Sequence, residues 1–261
     1  MSDAGRSVAL AGDEPPGYGD VWRSVEDVEG WMTHEQGRAL YEAARACPAG
    51  GRIVEIGSFR GRSTIVLAAA AGPGVEVIAI DPHAGNDRGP RELDGFADEA
   101  SDDFTTFHAN LQRAGVAGRV THLREPSHVA LGHVEGAIDV LYVDGAHRYG
   151  PASADIRDWS ARVRDGGELL IHGAFSSVGV TGAIAGNLLL GRRFCYVRKV
   201  RSLASYRADL PAGWGARVGN ALRQVAQLPW FVRNLALKLA LTFGLGTLLA
   251  RTGRAAPEWP Y

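Results

Sequence analysis

A glycine-containing turn at residues 53–64, with the sequence IVEIGSFRGRST, constrains the fold of this chain more than any other segment. A β-branched run reaches Glu55, Gly57 and Gly61 follow, and an apolar helical segment comes next. A strand that enters a helix through such a turn leaves backbone N–H groups directed at open space, and glycine lets a ligand approach them. The three-glycine dinucleotide fingerprint is absent, and Glu55 would repel a pyrophosphate. We therefore expect a ligand whose ammonium group lies near Glu55.

The next apolar run, at residues 75–80, ends at Asp81. An acid at the end of the second strand of a βαβ unit, about 20 residues past the glycines, binds ribose hydroxyls. An ammonium group and a ribose without a pyrophosphate describe S-adenosylmethionine (SAM), which we predict as the cofactor. The alternative is an ordinary βαβ unit with acids at its strand ends by chance.

Strand and helix patterns alternate along the chain. This alternation, with apolar strands, predicts an α/β fold with a doubly wound, mostly parallel sheet. The predicted strands are 52–57, 75–80, 119–124, 138–143, 167–172, 194–200 and 202–207. A glycine- and proline-containing loop at 82–95 is expected at the mouth of the cleft. We divide the chain into a disordered leader at 1–24, one domain at 25–210, and a basic amphipathic helical extension at 211–261.

Three further segments show a family resemblance: residues 138–175, which contain DGAH after a strand and GG before the next, residues 30–44, and residues 81–90. Over roughly residues 25–207 the chain resembles the class I SAM-dependent methyltransferases. It is most similar to methyltransferase family 24, a branch of small-molecule O-methyltransferases that includes sugar O-methyltransferases. The resemblance implies a seven-stranded, Rossmann-like methyltransferase fold.

The resemblance also implies which residues contact SAM. The methionine part would lie against the glycine turn, and the adenine would lie near the end of the third strand. Together with the two acids inferred above, the predicted cofactor-binding residues are Glu55, Gly57, Ser58, Gly61, Ser63, Asp81, Glu125 and Ser127.

Methyl transfer to a hydroxyl requires removal of its proton, by a general base or with the help of a metal ion. Asp144 and His147 follow the fourth strand as D-G-x-H, and we predict both as catalytic residues. His147 is the candidate base because histidine titrates near neutral pH. The alternative is a loop histidine that bonds to a strand end. Asp155 is expected either to orient His147 or to be an ordinary acid of the helix N-terminus.

In the family, the acid that matches Asp144 joins a second acid after the fifth strand to hold a divalent cation. Here the fifth strand ends with His172 and Gly173, where the family usually has His-Asp. The predicted metal ligands are Asp144 and His172, but the loss of a carboxylate weakens a Mg²⁺ site. A softer metal held by Asp144, His147 and His172 is the alternative.

The charge of the chain is strongly asymmetric, although its net value is only −1. Residues 1–189 hold 16 Arg and no Lys against 27 acids, a net charge of −11, whereas residues 190–261 hold 12 basic and 2 acidic residues, a net charge of +10. Val218, Leu222 and Val225 share one face of a predicted helix, and residues 234–250 are nearly all apolar. The extension at 213–261 therefore predicts an anionic membrane surface as partner. The alternatives are packing on the acidic domain or homo-oligomerisation.

We expect a SAM-dependent methyltransferase that acts on a hydroxyl of a small molecule, glycan or glycolipid. The alternatives are a degenerate SAM-binding module, favoured by Gly173, and a membrane-associated partner protein. Two cysteines and an N-terminus without an apolar core favour the cytoplasm, with peripheral binding at the inner membrane face. No Asn-Pro-Pro-Tyr-type loop follows the fourth strand, so a nucleic-acid acceptor is not expected.

Overall fold

A computed structural model describes residues 15–84 and 97–242 of the chain, with backbone only at 97–101 and 240–242. Most of the predicted leader, the greater part of the loop at 82–95, and residues 243–261 lie outside the described residues.

Seven strands form one sheet in the order β3-β2-β1-β4-β5-β7-β6. Strands β1 to β5 are parallel, and β7 runs antiparallel between β5 and β6. This confirms the predicted α/β fold with its mostly parallel, doubly wound sheet. The strands are β1 Arg52–Ile56, β2 Glu76–Ile80, β3 Val120–Leu123, β4 Ile138–Val143, β5 Val163–Ile171, β6 Cys195–Val200 and β7 Leu203–Arg207.

Helices cover both faces of the sheet and bury two apolar clusters. Alternate residues of a strand face opposite sides, so Ile53 packs beneath α1 to α4 and Val54 beneath α5 to α7. The helices in the described residues are α1 Tyr18–Val25, α2 His34–Arg45, α3 Arg62–Ala70, α4 Ala97–Arg113, α5 Ser127–Ala130, α6 Tyr149–Ser160, α7 Val178–Asn187, α8 Trp214–Val225 and α9 Leu228–Thr242.

The sheet reverses its winding between β1 and β4. Strand order runs from β1 through β2 to β3 on one side and from β4 to β5 on the other. Ligands of open α/β sheets bind at such a switch point, outside the carboxyl ends of the strands. The sequence elements that end at Gly57, Asp81 and Asp144 all meet at this edge.

The predicted leader is shorter than residues 1–24, because α1 already begins at Tyr18. Val21 and Val25 are fully buried in the first apolar cluster. The Tyr18 hydroxyl donates to the backbone carbonyl of His34, which attaches α1 to the start of α2. Burial of this apolar face fixes a segment that composition alone assigned to a disordered leader.

Within the described residues the C-terminal extension forms α8 and α9, and these helices pack against the second face of the sheet. Trp230 and Phe231 of α9 lie against the second apolar cluster. Among the described residues, no helix combines the length and apolar character needed to cross a membrane.

Candidate functional site

A cavity of about 360 Å³ lies at the carboxyl ends of β1, β2 and β4. It falls within the size range of small-molecule sites. Four of its lining side chains are aspartates: Asp81, Asp103, Asp144 and Asp155. Arg60 pairs with Asp103 at 2.7 Å, and the carboxylates of the other three also line the cavity. The site therefore suits a ligand that carries positive charge.

The glycine turn brings the ends of β1 and β4 into direct contact. Gly57 adopts φ +86°, and a Cβ added there would lie 2.3 Å from the backbone oxygen of Asp144. Gly61 adopts φ +87° and begins α3, where a Cβ would lie 2.7 Å from Leu111. Both positions need glycine for conformation and for space.

Asp81 is fixed by the backbone of the glycine turn. Its carboxylate accepts hydrogen bonds from the N–H groups of Ser58 at 2.9 Å, Phe59 at 2.8 Å and His83 at 2.8 Å. An ionised carboxylate has about four lone-pair positions, so it can still accept from a ligand hydroxyl. Asp81, the residue predicted to bind the ribose, thus lines the cavity and also holds the glycine turn in place.

Glu55 lies behind the turn and lines no part of the cavity. Its carboxyl is fully buried and accepts hydrogen bonds from the hydroxyls of Ser63 and Thr64, in the first turn of α3. Burial raises the pKa of Glu55 to about 8, although the two hydroxyl donors act in the opposite direction. In this arrangement Glu55 braces α3 against β1, and its contact with an ammonium group stays a prediction.

The Glu55→Gln variant is expected to change the pH dependence of stability. The folded-state pKa of about 8 lies above the ordinary value of 4.5, so the folded protein retains a proton that the unfolded chain releases between these values. The contribution of Glu55 is therefore full below about pH 4.5 and is lost as pH rises towards 8, at about 1.4 kcal/mol per pH unit. Urea unfolding at several pH values gives the free energy of unfolding of the wild type and of Glu55→Gln. The difference between the two free energies should show this slope. A flat difference would mean that Glu55 is ionised in the folded protein.

Asp144 is held by two side chains and lines the cavity. The Tyr142 hydroxyl donates to its Oδ2 at 2.8 Å, and Nδ1 of the buried His172 lies 2.9 Å from its Oδ1. On the far side of the imidazole, Ser202 Oγ lies 3.3 Å from His172 Nε2 and accepts from Gln36 Nε2 at 3.0 Å. This chain of donors favours the neutral His172 tautomer with its proton on Nδ1, so that both Tyr142 and His172 donate to Asp144.

His147 lies beside Asp144 rather than on the cavity wall. Its Nε2 is 3.9 Å from Asp144 Oδ1, and it does not line the cavity. A Cβ on Gly173 would lie 3.2 Å from His147 Nε2, so the imidazole occupies the space next to the position of the family's usual acid. His147 therefore lies where a side chain at position 173 would need space.

Asp144, His147 and His172 place their ligand atoms within 4.8 Å of one another, the spacing that one metal ion requires. The group offers a single carboxylate, which fits an oxygen-rich Mg²⁺ site poorly. Both nitrogens of His172 already have partners in Asp144 and Ser202. Coordination by His172 would therefore break its hydrogen bond with either Asp144 or Ser202. The predicted pair of Asp144 and His172 fits Mg²⁺ poorly, and a softer metal held by Asp144, His147 and His172 stays a prediction.

Asp155 does not orient His147. Its buried carboxylate accepts from the Ser127 hydroxyl at 2.5 Å, and burial raises its pKa. Both residues line the cavity, opposite the glycine turn. Glu125 instead approaches His133, at 2.6 Å between Oε1 and Nδ1, and does not line the cavity. Of the two residues predicted near the adenine, the cavity wall includes only Ser127.

The other predicted cofactor residues divide between two cavities. A smaller adjoining cavity is lined by Ser58 and Ser63, and it shares Gly57 and Asp144 with the larger one. Glu55, Gly61, Glu125, His147 and His172 line neither cavity. Gly57 and Asp144 are thus the predicted site residues that border both.

Sequence reasoning missed several wall residues, namely Trp31, Phe59, His128 and Arg148. Trp31 packs against Phe59 with ring centroids 5.1 Å apart and forms an aromatic edge of the cavity. Trp31 belongs to the 30–44 segment that carried the family resemblance, so a signal was present. No spacing rule in the sequence marks His128 or Arg148.

Comparison with known proteins agrees with this geometry. The profile of methyltransferase family 24, described as a methyltransferase domain, matches residues 54–174, from β1 to just past β5. Residues 54–174 therefore form a class I SAM-dependent methyltransferase domain. The matched region contains the glycine turn, Asp81 and Asp144.

Solved structures share the fold of this methyltransferase. Cofactor-bound Rv0187 from MTB is 22% identical, with a TM-score of 0.51 over 77% of this chain and 92% of that chain. A Corynebacterium glutamicum protein is 14% identical, with a TM-score of 0.54 over 74% of this chain and 91% of that one. An O-methyltransferase from Bacillus cereus in complex with SAH is 16% identical, with a TM-score of 0.48 over 73% and 88% of the two chains. At these identities the first two structures support the fold alone.

Proposed function

We propose that this methyltransferase transfers the methyl group of SAM to a hydroxyl of a small molecule or glycan. The observation that carries the proposal is the position of Asp144, which borders both cavities and receives hydrogen bonds on both carboxylate oxygens. A hydroxyl acceptor, unlike a neutral amine, needs a proton acceptor at the reacting atom. Asp144 provides one at the switch point of the sheet.

Bound SAM supplies an electrophilic methyl group on a positively charged sulfonium. The cavity aspartates would favour that charge, and the glycine turn would hold the methionine part. Asp144 would accept a hydrogen bond from the acceptor hydroxyl and take its proton as the methyl group passes from the sulfur to the hydroxyl oxygen. Its orientation by Tyr142 and His172 contributes to rate by holding the acceptor in line. We derive no step through a metal, since the donor set does not fit Mg²⁺.

The proposal is tested by incubating the full-length protein with labelled SAM and a panel of hydroxylated sugars, phenols and glycolipids, with and without EDTA. We expect methyl ether formation on at least one class of acceptor, undiminished by EDTA. Methylation of amines or thiols only would refute the O-transfer proposal. Activity that disappears in EDTA and returns with Mg²⁺ would show that the metal site was wrongly rejected.

A degenerate SAM-binding module is the second candidate, and Gly173 in place of the usual acid is the observation that favours it. It predicts SAM binding by titration calorimetry without transfer to any acceptor. Asp144 with its ordered hydrogen-bond partners argues for a retained catalytic centre, because a binding module does not need an oriented carboxylate at this point.

Asp81→Ala is expected to weaken SAM binding. A hydrogen bond to a charged group contributes about 1.5–3 kcal/mol, so the dissociation constant should rise about 10- to 150-fold. Because Asp81 also binds the N–H groups of Ser58 and Phe59, the variant should lose thermal stability even without SAM. Calorimetry and thermal unfolding measure the two effects separately. Unchanged SAM affinity would exclude Asp81 as a ribose ligand.

We propose the cytoplasm as the site of reaction. Cys47 is buried and Cys195 half-buried, and both are free thiols in the structure. Burial raises the pKa of Cys47 to about 12, which keeps this thiol protonated. Free thiols without a disulfide are typical of a reducing compartment and support this proposal.

A further inference from the structure

The helix α8 turns a polar face towards the protein. Asn220 is fully buried and lies against the edge strand β6, where its side chain accepts from the Tyr196 N–H at 2.7 Å and donates to the Phe194 carbonyl at 3.0 Å. Gln224, one turn further along, accepts from the Tyr206 hydroxyl at 3.2 Å. An edge strand presents unpaired backbone groups, and these amides satisfy them. The inward face of α8 is therefore occupied by hydrogen bonding.

Both helices also expose apolar side chains. Trp214, Leu222 and Val225 of α8 are exposed, at 69%, 63% and 44%. Leu228, Val232 and Leu239 of α9 are exposed, at 43%, 61% and 50%, and share one helical face by their spacing of four and seven residues. We call these six residues the outer stripe. Surface helices normally bury the apolar side, so a stripe that faces outward indicates a partner.

The charge on the two helices that carry the outer stripe is positive. Residues 214–242 contain four basic residues and no acidic one. Arg223 follows Leu222 and Arg233 follows Val232, so an exposed arginine stands next to an exposed apolar side chain on each helix. Residues 1–189, by contrast, carry a net charge of −11. An anionic surface would attract the two helices and repel the acidic residues 1–189. The charge distribution therefore favours an anionic partner and orients the protein with α8 and α9 towards it.

We propose that the outer stripe and its arginines form a docking surface for an anionic lipid bilayer, with α8 and α9 lying in the plane of the interface. Exposed leucine, valine and tryptophan on one helical side, with flanking arginines, are the composition of interfacial membrane helices. The surface adjoins the active edge of the sheet, because Asn234 and Lys238 of α9 donate to the carbonyls of Phe175 and Ser176, just beyond β5. Docking would place the cavity close to the lipid interface, and this inference does not depend on the identity of the acceptor.

The test is sedimentation of the full-length protein with phosphatidylcholine vesicles, with and without phosphatidylglycerol, at low and high salt. We expect binding only to vesicles that contain phosphatidylglycerol and release at high salt. The double variant Leu222→Glu/Val232→Glu should lose at least about tenfold in partitioning. Both residues are more than 60% exposed, so unchanged SAM binding and thermal unfolding should show that the fold is intact.

A matched pair of charge reversals isolates the electrostatic part. Arg233→Glu changes two charges on the docking surface and should weaken binding about 30-fold, at about 1 kcal/mol per charge near the membrane. Arg23→Glu makes the same change in net charge on α1, where Arg23 is also exposed, and should have little effect. Equal effects of the two variants, or no binding of the wild type at low salt, would overturn the proposal. The proposal would also be overturned if the wild type formed a dimer and did not bind vesicles, while the double variant was monomeric. The outer stripe would then be a self-association surface.

Discussion

Asp144→Asn is expected to lower kcat by about 10²–10⁴-fold, the usual contribution of a positioned general base. The amide keeps the shape of the carboxylate but cannot take the acceptor proton. SAM affinity should fall far less than kcat, since the proton is taken only in the transition state, whereas three other aspartates remain in the cavity wall. Steady-state kinetics with a responsive acceptor and calorimetry with SAM measure the two quantities.

His147→Gln is the matched comparison for this experiment. His147 Nε2 lies 3.9 Å from Asp144 and does not line the cavity, so we expect a loss of at most about tenfold. A loss as large as that of Asp144→Asn would identify His147 as the base, as its sequence position predicted. Equal activity of wild type and Asp144→Asn would remove Asp144 from the mechanism.

Gly57→Ala is expected to abolish SAM binding and to destabilise the protein by at least about 3 kcal/mol. Its Cβ would lie 2.3 Å from the backbone oxygen of Asp144, a distance that no side-chain movement relieves. The left-handed conformation adds about 1–2 kcal/mol for a residue with a Cβ. The ends of β1 and β4 must therefore separate, and the cavity wall that they form is lost. Urea unfolding and SAM calorimetry measure both effects.

Gly50→Ala separates conformation from contact. Gly50 has φ +72°, close to that of Gly57, but a Cβ there meets no atom within 4 Å. We expect Gly50→Ala to lower the free energy of unfolding only by the cost of the left-handed conformation, about 1–2 kcal/mol, and to bind SAM like the wild type. Similar stability and similar SAM affinity in the two variants would show that the close approach of β1 and β4 is not required.

The sequence predicted much of the fold from local signals. Apolar runs that end at Gly57, Asp81 and Asp144 define strands, and the glycine turn defines the strand-to-helix entry. The parallel sheet follows, because strands that alternate with helices must run in one direction. The start of α1 was missed since its two core valines act only through packing on α2 and α3.

The site was predicted less completely, because the sequence gives strand ends but not the direction of side chains. Glu55 is at the expected strand end, yet its carboxyl turns inward to Ser63 and Thr64. Asp155 was expected either to orient His147 or to be an ordinary acid of a helix N-terminus, but it accepts from Ser127 on a neighbouring helix. These contacts join residues of different elements, and pattern alone does not specify them.

The C-terminal helices show the same division between local and tertiary information. The sequence by itself determined that α8 is a helix with Val218, Leu222 and Val225 on one side, because helical periodicity is a local property. Only the tertiary structure decided which side faces the protein. The unpaired backbone groups of β6 are satisfied by Asn220, so the polar side is buried and the apolar side is left at the surface.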